Sequence, residues 1–198
     1  MHITPRLRDP WIATVLLAHL VAAPLAHAGL RAPQIAVSGT VLQSFFTAQG
    51  QAINVNTMQL DAQAYSVALG GSFQILVPVG SNASVGAYNA AATVPTLFQL
   101  FPGGNPPGWT AFASFLPVDR LVVNLFDANN VSQGSTVYSG TDHNNFSFYA
   151  QMPGGIAYGQ DARNAAGRAQ LLAFAGTGSR AGSTWLAFEA TPGPGGDF

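Results

Sequence analysis

The sequence predicts an all-β protein, a single antiparallel β-sandwich of jelly-roll-like form, and three observations predict it. Apolar residues alternate with others over short stretches, as at positions 73, 75 and 77 of Phe73-Gln74-Ile75-Leu76-Val77 and at Phe146, Phe148 and Ala150. Period two is the spacing of side chains on one face of a strand. These stretches are rich in β-branched and aromatic residues, which pack well on a pleated surface. They are also separated by strong turn formers: Gly70-Gly71, Gly80-Ser81-Asn82, the Pro- and Gly-rich 102–108, Asn129-Asn130 and Pro153-Gly154-Gly155. Such residues supply a left-handed backbone or a φ fixed at about −65°.

In chain order the apolar runs are 34–47, 72–79, 84–89, 96–101, 109–115, 120–126, 135–139, 145–151, 169–175 and 183–190. The run 72–79 lies between Gly70-Gly71 and Gly80-Ser81, and 96–101 ends at Pro102-Gly103. Asn129-Asn130 separates 120–126 from 135–139, and Pro153-Gly154-Gly155 closes 145–151. The glycine-rich 176–182 between the last two runs reads as a hairpin loop. About eight to ten strands at a spacing of about ten residues suit a sandwich or jelly roll. The stretch 160–170 is the one helical candidate, but Gly167 interrupts it and no apolar stripe runs along it, so a loop is expected. No linker and no repeat divides the chain.

The N-terminus reads as a secretory leader. Arg6 and Arg8 precede an apolar stretch from Trp11 to Leu25, and Ala26-His27-Ala28 follows as a small-x-small cleavage motif. The apolar stretch contains His19 and Pro24 and is shorter than the roughly 20 residues of a spanning helix. Cleavage after Ala28 would leave 29–198 as one mature domain without a transmembrane helix, secreted or held in the cell envelope.

Charged residues make up only 8% of the 198, with no Lys and no Cys, against about 25% charged in average soluble proteins. Nucleic-acid binding through a basic surface is excluded as an expectation, because phosphate neutralisation needs clustered cations. Disulfides, thiolate metal sites and cysteine nucleophiles have no residue to use. After the leader, five Arg and seven acids remain, a formal charge of −2, with His143 as the sole His.

The chemistry-bearing motifs are few. A Ser-His-Asp triad would have to use His143, yet it lies in the polar turn 141–145 and the chain has no Gly-x-Ser-x-Gly elbow. The segment 176–182 has Gly-x-Gly but no Gly-Lys-Ser, so phosphate binding is not expected. Glu189 is the sole Glu; with Asp161 or Asp197 it offers a carboxylate pair of the kind a glycosidase uses. Trp109, Tyr138, Tyr149 and Tyr158 are candidates for stacking on sugars, although most aromatics of a sandwich belong to its core. Calcium takes six to eight oxygen ligands from carboxylates, amides and carbonyls. Asp161 with Asn164, and Glu189 with Asp197, are the candidate calcium ligands.

A family resemblance lies in the second half. Phe146-Ser147-Phe148-Tyr149-Ala150-Gln151 is followed by Gly154-Gly155-Ile156-Ala157-Tyr158, Asp161-Ala162-Arg163-Asn164 and Gln170-Leu171-Leu172-Ala173-Phe174-Ala175-Gly176. Thr184-Trp185-Leu186-Ala187-Phe188-Glu189 and Gly195-Gly196-Asp197-Phe198 follow, and Val85-Gly86-Ala87-Tyr88-Asn89 precedes them. This order, over roughly residues 70–198, resembles the bacterial exported domain-of-unknown-function family 4114. The resemblance implies an exported, non-enzymatic protein with a structural calcium site in an acidic Asp-Phe-Asn-Asp loop. Here Ala190 stands where the family has an acid after Glu, and the sequence stops at Asp197-Phe198. A closing strand is therefore expected beyond the recorded sequence, and its loss would leave a hydrophobic sheet edge unpaired. The expected role is a structural or surface protein of a bacterial envelope or matrix, meeting polysaccharide or protein there. A carbohydrate-binding module is the alternative, and a hydrolase built on Glu189 or His143 ranks behind it.

Overall fold

The computed structural model describes residues 16–22, 29–76 and 82–189. The cleavage motif at 26–28, the end of the 72–79 run, Ala190 and Asp197 lie outside these residues. The strands are β1 (Leu16–Ala22), β2 (Gln59–Leu60), β3 (Ser72–Leu76), β4 (Ser84–Asn89), β5 (Leu97–Phe101), β6 (Thr110–Leu116), β7 (Arg120–Phe126), β8 (Ser132–Ser139), β9 (Phe146–Met152), β10 (Gly155–Tyr158), β11 (Leu171–Ala175) and β12 (Ser183–Phe188). One helix, α1 (Val41–Ala48), precedes β2, and short 3-10 turns occupy Asp161–Arg163, Ala165–Gly167 and Gly178–Arg180.

The predicted all-β sandwich is what these strands build. An eight-stranded sheet runs in the order β2-β11-β12-β1-β3-β6-β7-β8, and a four-stranded sheet in the order β10-β9-β4-β5. Every pairing is antiparallel. The main core lies between the sheets. Phe73, Ile75, Phe115, Leu121, Leu186 and Phe188 of the larger sheet share it with Val85, Phe98, Phe146 and Phe148 of the smaller one. Phe73 stacks on Phe146 at 5.6 Å between ring centroids, and Phe148 meets both edge-on. Strand alternation delivers this. In β6, Ala111, Ala113 and Phe115 are buried while Phe112 is 41% exposed.

The alternation fails in β11 and β12, where nearly every residue is buried, because a second core covers their outer face. Leu172, Phe174, Trp185 and Ala187 pack there against Leu42 and Phe46 of α1 and against Val37, Ile53 and Val55. The expectation of a strand over 34–47 is corrected here. Leu42, Phe45 and Phe46 stand at i, i+3 and i+4, a helical spacing, and α1 ends before Gly50, whose φ of 65° only glycine adopts at no cost. Phe46 meets Phe174 and Trp185 edge-on at 5.1 and 5.7 Å. Two buried glutamines stitch this layer. Gln59 is closed by Ile35 N–H and by the carbonyls of Ile35 and Val55. Gln51 Oε1 accepts from Thr177 N–H at 2.8 Å and Trp185 Nε1 at 3.4 Å.

Other expectations differ in detail. The stretch Leu16–Ala22, inside the predicted leader, forms β1 between β12 and β3. The last strand described, β12, is paired with β11 on one side and β1 on the other. β2 and β10 are too short for a periodic signal. The 160–170 stretch is the loop expected, folded as two 3-10 turns. Among the described residues no helix is long and apolar enough to cross a membrane.

Candidate functional site

The residues 29–35 run along the β2 end of the larger sheet. Leu30 bridges Leu60, Arg31 N–H donates to Gln59 O at 2.8 Å, and Asp61 N–H donates to Gly29 O at 3.0 Å. This register turns Arg31 toward the 160–168 loop, where its Nη2 pairs with Asp161 Oδ2. The pair is largely covered, with side-chain exposures of 10% and 20%. Around it lies a cavity of about 250 Å³ lined by Arg31, Ala32, Pro33, Ile35, Asp61, Gln63 and Asp161.

The lining holds two carboxylates, Asp61 and Asp161, against one guanidinium, Arg31. Asp61 Oδ1 and Asp161 Oδ1 are buried without a hydrogen-bond partner among the described residues. Carboxylate oxygens in that state favour a cation or a hydrogen-bond donor. Burial raises the Tyr65 hydroxyl far above the usual phenol value, and the Asp61 carboxylate beside it adds to the rise. That hydroxyl is therefore a neutral donor group at any physiological pH.

The loop that carries Asp161 is fixed by its neighbours. Asn164 is buried, and its whole amide is engaged. Oδ1 accepts from Tyr158 N–H at 2.8 Å, and Nδ2 donates to the carbonyls of Tyr158 at 2.8 Å and Arg168 at 3.0 Å. Arg163 reaches back to the β4–β5 connection, donating to Ala90 O at 3.0 Å and to Ala92 O. Its guanidinium lies 5.3 Å from the centre of the Tyr88 ring, a cation–π contact.

The four candidate calcium ligands are thus distributed as follows. Asp161 lines the cavity. Asn164 sits one 3-10 turn later and serves as the loop's internal clamp. Glu189 is 3% exposed at the end of β12, and its N–H donates to Gln170 O at 3.1 Å. Gln170 leaves the same loop, so Glu189 stands at the loop's exit. Asp197 lies outside the described residues. Among the described residues no three His, Cys, Asp or Glu side chains gather as a metal cluster.

The other candidates fall elsewhere. His143 is half-buried against Phe115, at 6.3 Å between rings, and its carbonyl accepts from Val67 N–H. Trp109 and Tyr138 pack onto the main core, and Tyr138 donates its hydroxyl to Gln99 O at 2.9 Å. Tyr149 is buried, and Tyr158 meets the buried Tyr88 edge-on at 5.4 Å. Phe112 of β6 is the exposed aromatic among the described residues. Sequence reasoning missed Arg31, Asp61 and Gln63. They lie in separate stretches, and only the pairing of residues 29–31 with 59–61 brings them to Asp161.

Comparison of the chain with family models, with curated proteins and with solved structures finds no match.

Proposed function

We propose that this is a non-enzymatic, exported β-sandwich of a bacterial envelope or matrix, related to the exported family that its second half resembles. The observation that carries the reading is how its scarce charges are used. Arg31 and Asp161 tie residue 31 to the 160–168 loop, Arg163 caps the carbonyls of Ala90 and Ala92, and Asp127 accepts from Asn129 N–H and Val131 N–H in the β7–β8 turn. Charged groups that hold loops in place suit a mechanical or surface role.

Calcium stabilisation is part of this proposal, through Asp161, Glu189 and Asp197. The buried, unpartnered Oδ1 of Asp161 fits a cation ligand. Asn164 does not fit, since its amide oxygen is already used by Tyr158 N–H. A bound cation would neutralise the loop carboxylates and lock the strand ends.

Melting of the full chain with calcium and with chelator tests the metal. A higher melting temperature in calcium, lost in Asp161→Asn, is expected; equal melting in both conditions removes calcium from the proposal. Cell fractionation tests the location, and recovery of the chain only from the cytoplasm would sink the exported reading.

Carbohydrate binding is the second reading, and one observation favours it. Phe112 shares the open outer face of the larger sheet with Ser114, Val122, Asn124 and Val137, an uncharged surface joining an aromatic ring to an amide and a hydroxyl. Retention on a polysaccharide column, lost in Phe112→Ala without loss of melting temperature, would support it.

A further inference from the structure

We propose that the seam between β12 and β3 is a strand-acceptor slot, filled in the intact chain by its own Leu16–Ala22 and open, once residues 1–28 are removed, to an extended uncharged apolar peptide from another polypeptide. This rests on the reading of residues 1–28 as a removable leader.

The sheet order carries the argument. Among the described strands β1 alone links β2-β11-β12 to β3-β6-β7-β8. It pairs with β12 from Leu16↔Phe188 to Val21↔Ser183 and with β3 from His19↔Leu76 to Ala22↔Phe73. Strands in a sheet stand about 4.8 Å apart, so β12 and β3 face each other across roughly 9.6 Å. Without β1 their facing N–H and C=O groups cannot meet unless two half-sheets slide together through a packed core.

The walls of this seam are unlike the outer edges of the same sheet. All six residues of β12 are buried, and Phe73 and Ile75 of β3 are 1% and 0% exposed. Leu186 and Phe188 belong to the main core, and Trp185 and Ala187 to the core under α1. By contrast β8, an outer edge, is exposed along nearly its whole length and carries Ser, Gln and Thr, and β2 has only two residues. Short or polar strands are how sheets tolerate an edge, and a buried apolar strand with unpaired backbone groups is not tolerated.

The walls also define the occupant. It runs antiparallel to β12 and to β3, spans about seven residues, and carries no charge, since none of Ser183–Phe188 or Ser72–Leu76 could pair with one. Leu16–Ala22, with the sequence LLAHLVA, meets each condition. Addition of a strand to waiting backbone groups is an established mode of peptide capture.

The test uses the full chain with a specific protease site inserted after Ala28, folded first and then nicked. The leader fragment is expected to co-elute with the body on gel filtration, and to exchange for a fluorescent synthetic peptide of residues 13–25. A peptide with proline in place of Ala18 and Leu20 lacks two backbone donors and is expected not to exchange. The proposal is overturned if the fragment leaves while the body keeps its melting temperature and takes up no peptide. A body that dimerises and excludes the peptide also overturns it, because a second copy then fills the seam. If the nicked body precipitates, refolding with the synthetic peptide must restore a soluble one-to-one complex, and failure to do so counts against the slot. The N-terminal mass of the exported protein tests the leader reading separately. A chain still beginning at Met1 rejects the leader, and the nicked-chain exchange decides the slot on its own.

Discussion

Arg31 and Asp161 are 130 residues apart in sequence and form an ion pair at the cavity beside β2. The pair joins residues 29–35, which run beside β2, to the 160–168 loop that follows β10. Neither side chain is fully exposed, so screening by water weakens the pair less than at an open surface. Replacing either partner alone leaves a partly buried charge without its neighbour. Arg31→Met or Asp161→Asn is therefore expected to cost about 2 kcal/mol. The double variant is expected to lose less than the sum of the two. A double-mutant cycle by urea unfolding measures the coupling, and additive losses would show that the pair contributes nothing.

Gly86 in the centre of β4 sits against Tyr149 of β9 with no room for a side chain. A Cβ there would lie 2.4 Å from Phe98 O and 2.5 Å from Tyr149 Cε1. The tyrosine ring has some freedom to turn, but the carbonyl belongs to the β4–β5 ladder and cannot retreat. Gly86→Ala is expected to destabilise by about 3 kcal/mol through overpacking. Trimming the ring in Gly86→Ala/Tyr149→Ala is expected not to restore stability. Thermal unfolding checks both, and recovery in the double variant would place the conflict in the ring instead of the backbone.

The strands that alternate between a buried and an open face were legible in the sequence, and those covered on both faces were not distinguished by period. β3 and β6 announce themselves through Phe73, Ile75, Ala111, Ala113 and Phe115. β11 and β12 read as continuous apolar runs, and their second partner, α1, reads in sequence as another strand although Leu42, Phe45 and Phe46 carry helical spacing. An eight-residue helix is too short for its period to stand out beside apolar neighbours. Asp161 and Asn164 were found together because they are three residues apart. Arg31 and Asp61 were not, because the Leu30–Leu60 bridge that brings them to Asp161 leaves no local mark.

The second core gives a direct test of α1. Phe46 is fully buried and touches Phe45, Phe174 and Trp185 edge-on. Phe46→Ala is expected to cost about 4 kcal/mol, from lost burial and the cavity left behind, with a changed near-ultraviolet signal from Trp185. Phe46→Leu, which keeps most of the volume, is expected to cost about 1 kcal/mol. Equal losses in the two variants would mean that α1 does not seal this face.

The buried tyrosines set the alkaline limit of the fold. Burial raises the hydroxyls of Tyr65, Tyr88 and Tyr149, and partial burial that of Tyr138, above the ordinary phenol value of 10.0. Below that value the group is neutral in both states, and its full contribution to stability is present. Above it the unfolded chain loses protons that the folded chain keeps, so stability falls as pH rises. Tyrosinate absorbance from these four residues is accordingly expected to appear together with unfolding, above pH 10. Tyr65 has the strongest cause, because it is completely buried and the Asp61 carboxylate beside it adds to the rise, and its hydroxyl has no hydrogen-bond partner among the described residues. Tyr65→Phe removes an unsatisfied polar group without emptying the site. It is expected to leave neutral-pH stability unchanged or raise it by about 1 kcal/mol, and to shift alkaline unfolding to higher pH. A loss of more than that amount at neutral pH would show that the hydroxyl holds a contact the fold depends on.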